Sequence, residues 1–175
     1  MEYRRIGLNE LTPDLFHAFE RHQVVQDCWR KVEGMWTVVA DPFIDQWGPE
    51  EYAFLVQCLQ NTIHTGGVVF GAFEGDALKG FASVESEPLG AGKDYLDLSS
   101  IHVSEELRGH GVGRMLFQLA AQWAREQGGQ KLYISAHSAV ETQAFYRSLG
   151  CVEAAEYNAV HVAREPFDCQ MEFSL

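Results

Sequence analysis

The string Arg108-Gly109-His110-Gly111-Val112-Gly113 constrains this chain more than any other. It follows a β-rich run, Tyr95 to Val103, and it opens an amphipathic segment, Val112 to Gln127. In that segment Val112, Met115, Leu116, Leu119, Ala120, Trp123 and Ala124 recur at i, i+3 and i+4, the period of a helix with one apolar face. Gly128-Gly129 ends it. A strand, a tight glycine turn and a helix N-terminus in that order make an anion site. The amides of the turn point one way and carry the partial positive charge of the helix dipole. The expected ligand therefore bears a phosphate group.

Two common phosphate loops are excluded. No Gly, four residues, Gly-Lys-Ser/Thr string occurs. A dinucleotide fingerprint needs a third glycine, and that position falls on Arg114 counting from Gly109 and on Leu116 counting from Gly111. What remains is R-x-x-G-x-G.

The rest of the chain supplies the context. Tyr3 to Ile6 reads as a short strand. Thr12-Pro13 reads as N-cap and first position of a helix with Leu15, Phe16 and Phe19 on one face. The stretch from His22 to Trp47, with Gly34 and Pro42 as breakers, reads as a second short helix followed by an irregular loop. Pro49 starts a helix that presents Tyr52, Leu55, Val56, Leu59 and Ile63, and Gly66-Gly67 stops it. Val68 to Phe73 and Leu78 to Glu85 form a hairpin around Glu74-Gly75-Asp76. Pro88 to Gly92 is a turn before the Tyr95–Val103 strand. Lys131 to Ala136 is nearly all apolar, as a central parallel strand should be. Ser138 and Glu141 read as a capping box for a last helix closed by Gly150. Cys151 to Tyr157 and Cys169 to Leu175 read as two final antiparallel strands joined by residues 158–168. No repeat or linker interrupts this order, so residues 1–175 are expected to form one domain.

Bulk properties narrow the function classes. A formal charge of −12 argues against nucleic acid and suits a cationic partner such as an amine. The four cysteines are scattered without C-x-x-C spacing, which predicts free, mostly buried thiols in a reducing cytoplasm. The seven histidines show no metal-ligand spacing, so no metal is expected. No apolar run is long enough to span a bilayer, and no charged-then-apolar leader follows Met1. The expected location is cytoplasmic, with no membrane partner.

The R-x-x-G-x-G hexapeptide and its approach, Ile101-His102-Val103-Ser104-Glu105-Glu106-Leu107, resemble the acetyl-CoA pyrophosphate loop of the GCN5-related N-acetyltransferase (GNAT) superfamily. The element order β-α-α-β-β-β-α-β-α-β-β is also that of the superfamily. The resemblance covers the chain from about Val68 onward; the N-terminal third matches only in outline. It implies an α/β (α+β) fold of the GNAT acyl-CoA N-acyltransferase type, with a central mixed sheet whose splayed parallel strands are flanked by helices. The splayed strands would be Tyr95–Val103 and Lys131–Ala136, with CoA in the gap. It further implies direct acetyl transfer from acetyl-CoA to a primary amine of a small molecule in a ternary complex, and it is compatible with a homodimer. A non-catalytic CoA-binding module and an interaction protein that merely keeps the fold are the alternatives.

The resemblance also proposes site residues. Arg108, Gly109, His110, Gly111, Val112 and Gly113 would hold the pyrophosphate, with Arg114 adding charge and Gly111 and Gly113 leaving room for the ligand. Ile101 and Val103 would pair with the pantetheine arm through their backbone. Tyr146, in Ala144-Phe145-Tyr146-Arg147-Ser148-Leu149-Gly150, matches the tyrosine expected to protonate the leaving thiolate. Asp97, eleven residues before Arg108, stands where relatives carry a base, and Ser99 stands where some carry a second one. Strict alternation would place Asp97, Ser99, Ile101 and Val103 on one face, with Leu96, Leu98, Ser100 and His102 on the other. His102 and His137 are further base candidates. Many members have Asn where this chain has Ala139, and Ser138 would take over its role toward the pantetheine arm. Trp29, Trp36, Phe43 and Trp47 are candidate walls of an acceptor slot, suited to an ammonium through cation–π contact.

Overall fold

Apolar periodicity places most of the elements correctly from Pro49 onward. The computed structural model describes residues 1–175. Its strands are β1 (Glu2–Arg5), β2 (His22–Val32), β3 (Met35–Gln46), β4 (Val68–Glu74), β5 (Ala77–Val84), β6 (Tyr95–Val103), β7 (Lys131–Ala136), β8 (Val152–Glu153) and β9 (Cys169–Ser174). Its helices are α1 (Pro49–His64), α2 (Val112–Glu126), α3 (Val140–Ser148) and α4 (Ala159–Arg164). Seven strands form one sheet in the order β1-β4-β5-β6-β7-β9-β8, and β2 and β3 form a separate pair.

The sheet is covered on both faces. Val112, Leu116, Ala120 and Trp123 of α2 bury themselves against Val68, Phe70, Ala82, Leu96 and Leu98. On the opposite face Leu55, Val56 and Leu59 of α1 pack on Val69, Phe73, Leu78 and Phe81. Two apolar layers around one sheet bury enough surface to order a chain of this size.

The central feature is a parting of strands. β6 and β7 pair in parallel over three positions, Tyr95 with Lys131, Leu96 with Leu132 and Asp97 with Tyr133. Beyond Asp97, β6 follows β5 to Val103, while β7 follows β9 to Ala136. The expected splay is therefore present.

Several expectations are corrected. The first predicted helix is instead two short 3₁₀ turns, Leu8–Glu10 and Pro13–Phe16, although Thr12 and Pro13 do occupy the predicted N-terminal positions. One turn suffices because Phe16 and Phe19 then reach the Phe81 ring, each at 5.5 Å between centroids. The predicted helix and loop between His22 and Trp47 are a long β-hairpin. Its turn is Glu33-Gly34, both at positive φ (50° and 81°), between the paired Val32 and Met35. That is the geometry of a two-residue hairpin turn. A register shift between Val25 and Asp27 breaks the alternation that would have marked the strand in the sequence. Cys151–Tyr157 is not a full strand: pairing stops after Glu153. The connection that follows holds α4, capped by Asn158, whose side chain accepts the Val160 and His161 amides. Ser138 is no capping residue, since α3 starts one residue later behind Ala139.

The facing of β6 also changes. Val84 pairs with Leu98 and Ser83 with Ser100, so Ser99 is an extra residue in a bulge. The bulge reverses the alternation. Leu96 and Leu98 share the α2 face with Ile101 and Val103. Asp97 lies on the other face, where His161 Nε2 meets its Oδ2 at 2.7 Å and the His161 ring stacks on Tyr133 at 5.5 Å. This contact fastens α4 to the last parallel pair of the sheet.

The hydrogen bond to Asp97 raises the His161 pKa above its ordinary 6.5. The stabilisation it adds is complete below that ordinary value and is lost as pH rises through the raised value in the folded protein. Urea unfolding of His161→Ala should show a loss of about 1.5–3 kcal/mol at pH 5.5. The variant should also show a flatter decline in stability between pH 5.5 and 8.5 than the wild type. Equal slopes in the two proteins would exclude His161 as the source.

Candidate active site

Strands that diverge leave backbone edges unpaired and a space between them. Here that space is a cleft of about 1080 Å³. Its walls include β6 from Leu98 to Val103, the glycine loop, Phe145 and Tyr146 of α3, and Arg21, Gln23, Asp45 and Trp47 from the hairpin side.

The glycine loop is built for an anion. After the Arg108 amide, which donates to Glu105 O, the next backbone amide to find an acceptor in the chain is Met115, at Gly111 O. The amides of Gly109, His110, Gly111, Val112, Gly113 and Arg114 are thus left without partners at the N-terminus of α2, which concentrates positive potential there. Gly109 (φ 79°) and Gly111 (φ 85°) adopt the left-handed conformation that lets the chain turn this way. Gly113 lines the cleft and also has a packing role. A Cβ there would stand 3.2 Å from the Phe145 ring, so its absence lets α2 and α3 approach each other beside the cleft.

The side chains of this region divide. Arg108 donates from Nε to Val103 O at 3.2 Å, and its Nη2 is enclosed without a partner. Arg114 lines the cleft and donates to Ser148 Oγ at 3.3 Å. His110 is exposed, donates from Nδ1 to Arg108 O and is not among the cleft residues. The Val112 side chain is buried in the core, so its amide is the group it offers. Ser104 N–H donates to Lys79 O of β5. By the period of two, Ile101 and Val103 turn their backbone groups from β5 toward the gap.

Tyr146 is buried, at 7% relative exposure, yet it lines the cleft. Its hydroxyl has no hydrogen bond in the chain and is not sealed off. Burial raises its pKa well above the usual phenol value, so it stays protonated at neutral pH.

Other predicted residues are placed elsewhere. Asp97 is not among the cleft residues, and its Oδ2 is engaged by His161. Ser99 is exposed at the cleft, but its hydroxyl is held by Ser83 Oγ at 2.8 Å and Glu85 Oε1 at 2.6 Å. Ser138 is buried; its Oγ accepts from Arg30 at 2.5 Å and its carbonyl from the Trp29 amide at 2.8 Å. It anchors the hairpin and is not among the cleft residues. His102 packs between Trp47 (4.9 Å) and Phe81 (5.3 Å). Burial, then Arg21 and Arg108, push its pKa down to about 3, so it is neutral and a poor base. His137 lines the cleft, and its Nδ1 accepts the Ala139 amide at 3.1 Å. Of the proposed aromatic walls Trp47 alone reaches the cleft. Trp29 lies under Arg147, Trp36 donates to Glu153 and Phe43 packs on His137.

The cleft also contains residues that sequence reasoning missed. Arg21 and Asp45 form an ion pair at 2.5 Å beside Trp47. Their proximity follows from the hairpin register, in which Gln23 opposes Asp45. Glu141, Glu165 and Asp168 add carboxylates to the lining. Asp168 carried one signal, an acid immediately before a predicted strand. The cysteines are all free, and three of them are buried. Burial pushes the Cys151 thiol up to about 12 and the Cys169 thiol up to about 11, and no cysteine lines the cleft. No three His, Cys, Asp or Glu side chains gather as a metal site would require, and no helix is long and apolar enough to cross a membrane.

Comparison with known proteins extends these observations. No curated protein matches the chain. Nourseothricin acetyltransferase shares the fold with a TM-score of 0.72 at 20% identity, over 99% of this chain and 97% of that one. A candidate streptothricin acetyltransferase from Bacillus anthracis, solved with acetyl coenzyme A, gives 0.74 at 18% identity over 99% of both chains. An aminoglycoside 6'-N-acetyltransferase complexed with coenzyme A gives 0.62 at 15% identity, over 99% of this chain and 97% of that one. These identities establish a common fold. Residues 32–151, well over half of the chain, match the acetyltransferase (GNAT) family, and they include the parted strands, the unpartnered amide loop and Tyr146. The chain belongs to the GNAT acetyltransferase family.

Proposed function

We propose that this enzyme transfers the acetyl group of acetyl-CoA to a primary amine of a small cationic molecule, by direct attack within a ternary complex. The observation that carries the reading is the run of unpartnered amides from Gly109 to Arg114, opening on the cleft that holds the protonated, unpartnered Tyr146 phenol. The amides and Arg114 suit a pyrophosphate. The cleft-facing backbone of Ile101 and Val103 suits an amide-bearing arm laid along β6 as an added strand. Tyr146 is a proton donor for the departing thiolate. The raised thiol pKa values of Cys151 and Cys169 favour direct transfer over an acyl-cysteine intermediate.

The acceptor class rests on charge and on the neighbours. Asp45, Glu105, Glu141, Glu165 and Asp168 line the cleft, in a chain of net charge −12. Such a wall favours an ammonium over a carboxylate. Neighbours of the same fold are named for nourseothricin, streptothricin and aminoglycosides, and two were solved with acetyl coenzyme A or coenzyme A.

Two substitutions test the donor and acid roles. In Gly111→Val a branched side chain must take φ 85°, at a cost of about 1–2 kcal/mol or a rearranged loop. The variant should keep its far-UV circular dichroism and lose the thermal stabilisation by acetyl-CoA that the wild type shows. Stabilisation equal to wild type would defeat the loop assignment. Tyr146→Phe should lower kcat by about 10²–10³ with the acetyl-CoA Kd within about twofold, as expected for a proton donor used only in the transition state. An unchanged kcat would remove Tyr146 as the acid.

A further inference from the structure

The amine must lose a proton before it can attack, and none of the bases expected from the sequence is well placed to take it. Asp97 lies off the cleft, and Ser99 is tied to Ser83 and Glu85. His102 is held neutral and packed between rings. His137 accepts the Ala139 amide at Nδ1, so its neutral tautomer carries hydrogen on Nε2 and presents a donor. Among the cleft carboxylates, Asp45 is paired with Arg21 and Glu105 with His22, and Glu141 and Glu165 are exposed.

Asp168 differs from all of these. It is half-buried in the cleft, immediately before β9. A chain of hydrogen bonds ends on it, every one donating in the same direction. The Asn158 amide donates to Tyr133 Oη (2.9 Å), and the Tyr133 hydroxyl donates to Gln170 Oε1 (2.5 Å). Gln170 Nε2 donates to Ser135 Oγ (3.1 Å), and the Ser135 hydroxyl donates to Asp168 Oδ2 (2.9 Å). Hydrogen bonds aligned in this way polarise one another. Oδ2 is therefore fixed, while Oδ1 has no partner in the chain and is not enclosed. The Tyr146 phenol is close enough to respond to the Asp168 charge.

We infer that Asp168 is the catalytic base of this enzyme, its free Oδ1 taking the proton of the acceptor ammonium in the cleft it shares with Tyr146. The assignment rests on the acetyl transfer proposed above. The ammonium gives one proton to Asp168, and the freed nitrogen pair forms the N–C bond to the thioester carbonyl carbon. The C–S bond then breaks and sulfur takes the Tyr146 proton. The second nitrogen proton, lost as the amide forms, restores the phenol, and Asp168 sheds its proton to solvent through the cleft. An ammonium and acetyl-CoA become an amide, CoA thiol and one proton.

The surroundings fit the task. Burial raises the Asp168 pKa above the ordinary carboxylate value, toward the working range of a base. Ser135 and, when protonated, His137 from the β7 end and His161 from α4 favour its anion, whereas Glu165 opposes it. Arg30 from β2 and Arg147 from α3 act on the adjacent Cys169.

The test is a pH–rate profile with a panel of primary amines, read by CoA thiol release. Asp168→Asn should lower kcat/KM at pH 7 at least about 100-fold while acetyl-CoA still raises Tm as in the wild type. The deficit should shrink as pH rises toward the pKa of the amine, because the acceptor then arrives already deprotonated. A kcat/KM within threefold of wild type, or a deficit unchanged from pH 6 to 10, would overturn the assignment. Ser135→Ala guards against a misfolded Asn variant. It removes a hydrogen bond that lowers the Asp168 pKa, so the acid limb of kcat/KM should move to higher pH. An unmoved limb would count against Asp168. If wild-type protein binds acetyl-CoA and releases no thiol with any amine, the transferase reading itself fails, an outcome distinct from a selective loss in the variants.

Discussion

The architecture turns on the separation of β6 from β7 after three parallel pairs. A sheet normally satisfies each strand on both sides, and an internal edge left open exposes backbone donors and acceptors. Here the open edge of β6 becomes one wall of the cleft, and the N-terminus of α2 delivers its free amides beside it. Tyr146 closes the crotch of the split, packed in the same apolar cluster as Leu98, Ile134 and Ala136. Binding groups and chemistry therefore meet because two strands stop pairing.

Something must hold the two arms apart, and the β2–β3 hairpin is placed to do so. At the β7 arm, β2 joins Ala139 through Cys28, Ser138 through the Trp29 amide, and Ser138 again through the Arg30 side chain. At the β6 arm, His22 meets Glu105 and Trp47 meets His102, while the Glu20 amide just before β2 donates to Ser104 Oγ. The hairpin thus bridges the split and brings Arg21, Asp45 and Trp47 to its rim. The side chains of Trp29, Trp36 and Phe43 are engaged with Arg147, Glu153 and His137, and Trp47 is the one that reaches the cleft.

Charges of both signs line the cleft. Arg108, Arg114 and the N-terminus of α2 stand in it together with Glu141, Glu165 and Asp168, in a chain of net charge −12. Asp97, an unusual residue for a strand, acts on this lining indirectly. By holding His161 it fixes α4, the segment that leads through Glu165 to Asp168.

The sequence by itself determined the elements whose signals are local. Heptad-like spacing in α2, glycines at helix ends and the R-x-x-G-x-G turn are consequences of backbone sterics and side-chain period within a few residues. The glycine turn and the helix behind it were legible for that reason, whereas Tyr146 was singled out only by the resemblance of its segment to the family's. The hairpin was not, because a bulge between Val25 and Asp27 broke its alternation and its Glu33-Gly34 turn resembled a mere breaker. The facing of Asp97 was misread because the bulge at Ser99 exists only through pairing with β5. Asp168 acquires its role from Ser135, Gln170 and Tyr133, and Arg21 from Asp45. Partners that lie tens of residues apart, or across strands, are set by register and packing, and those are decided when the sheet assembles.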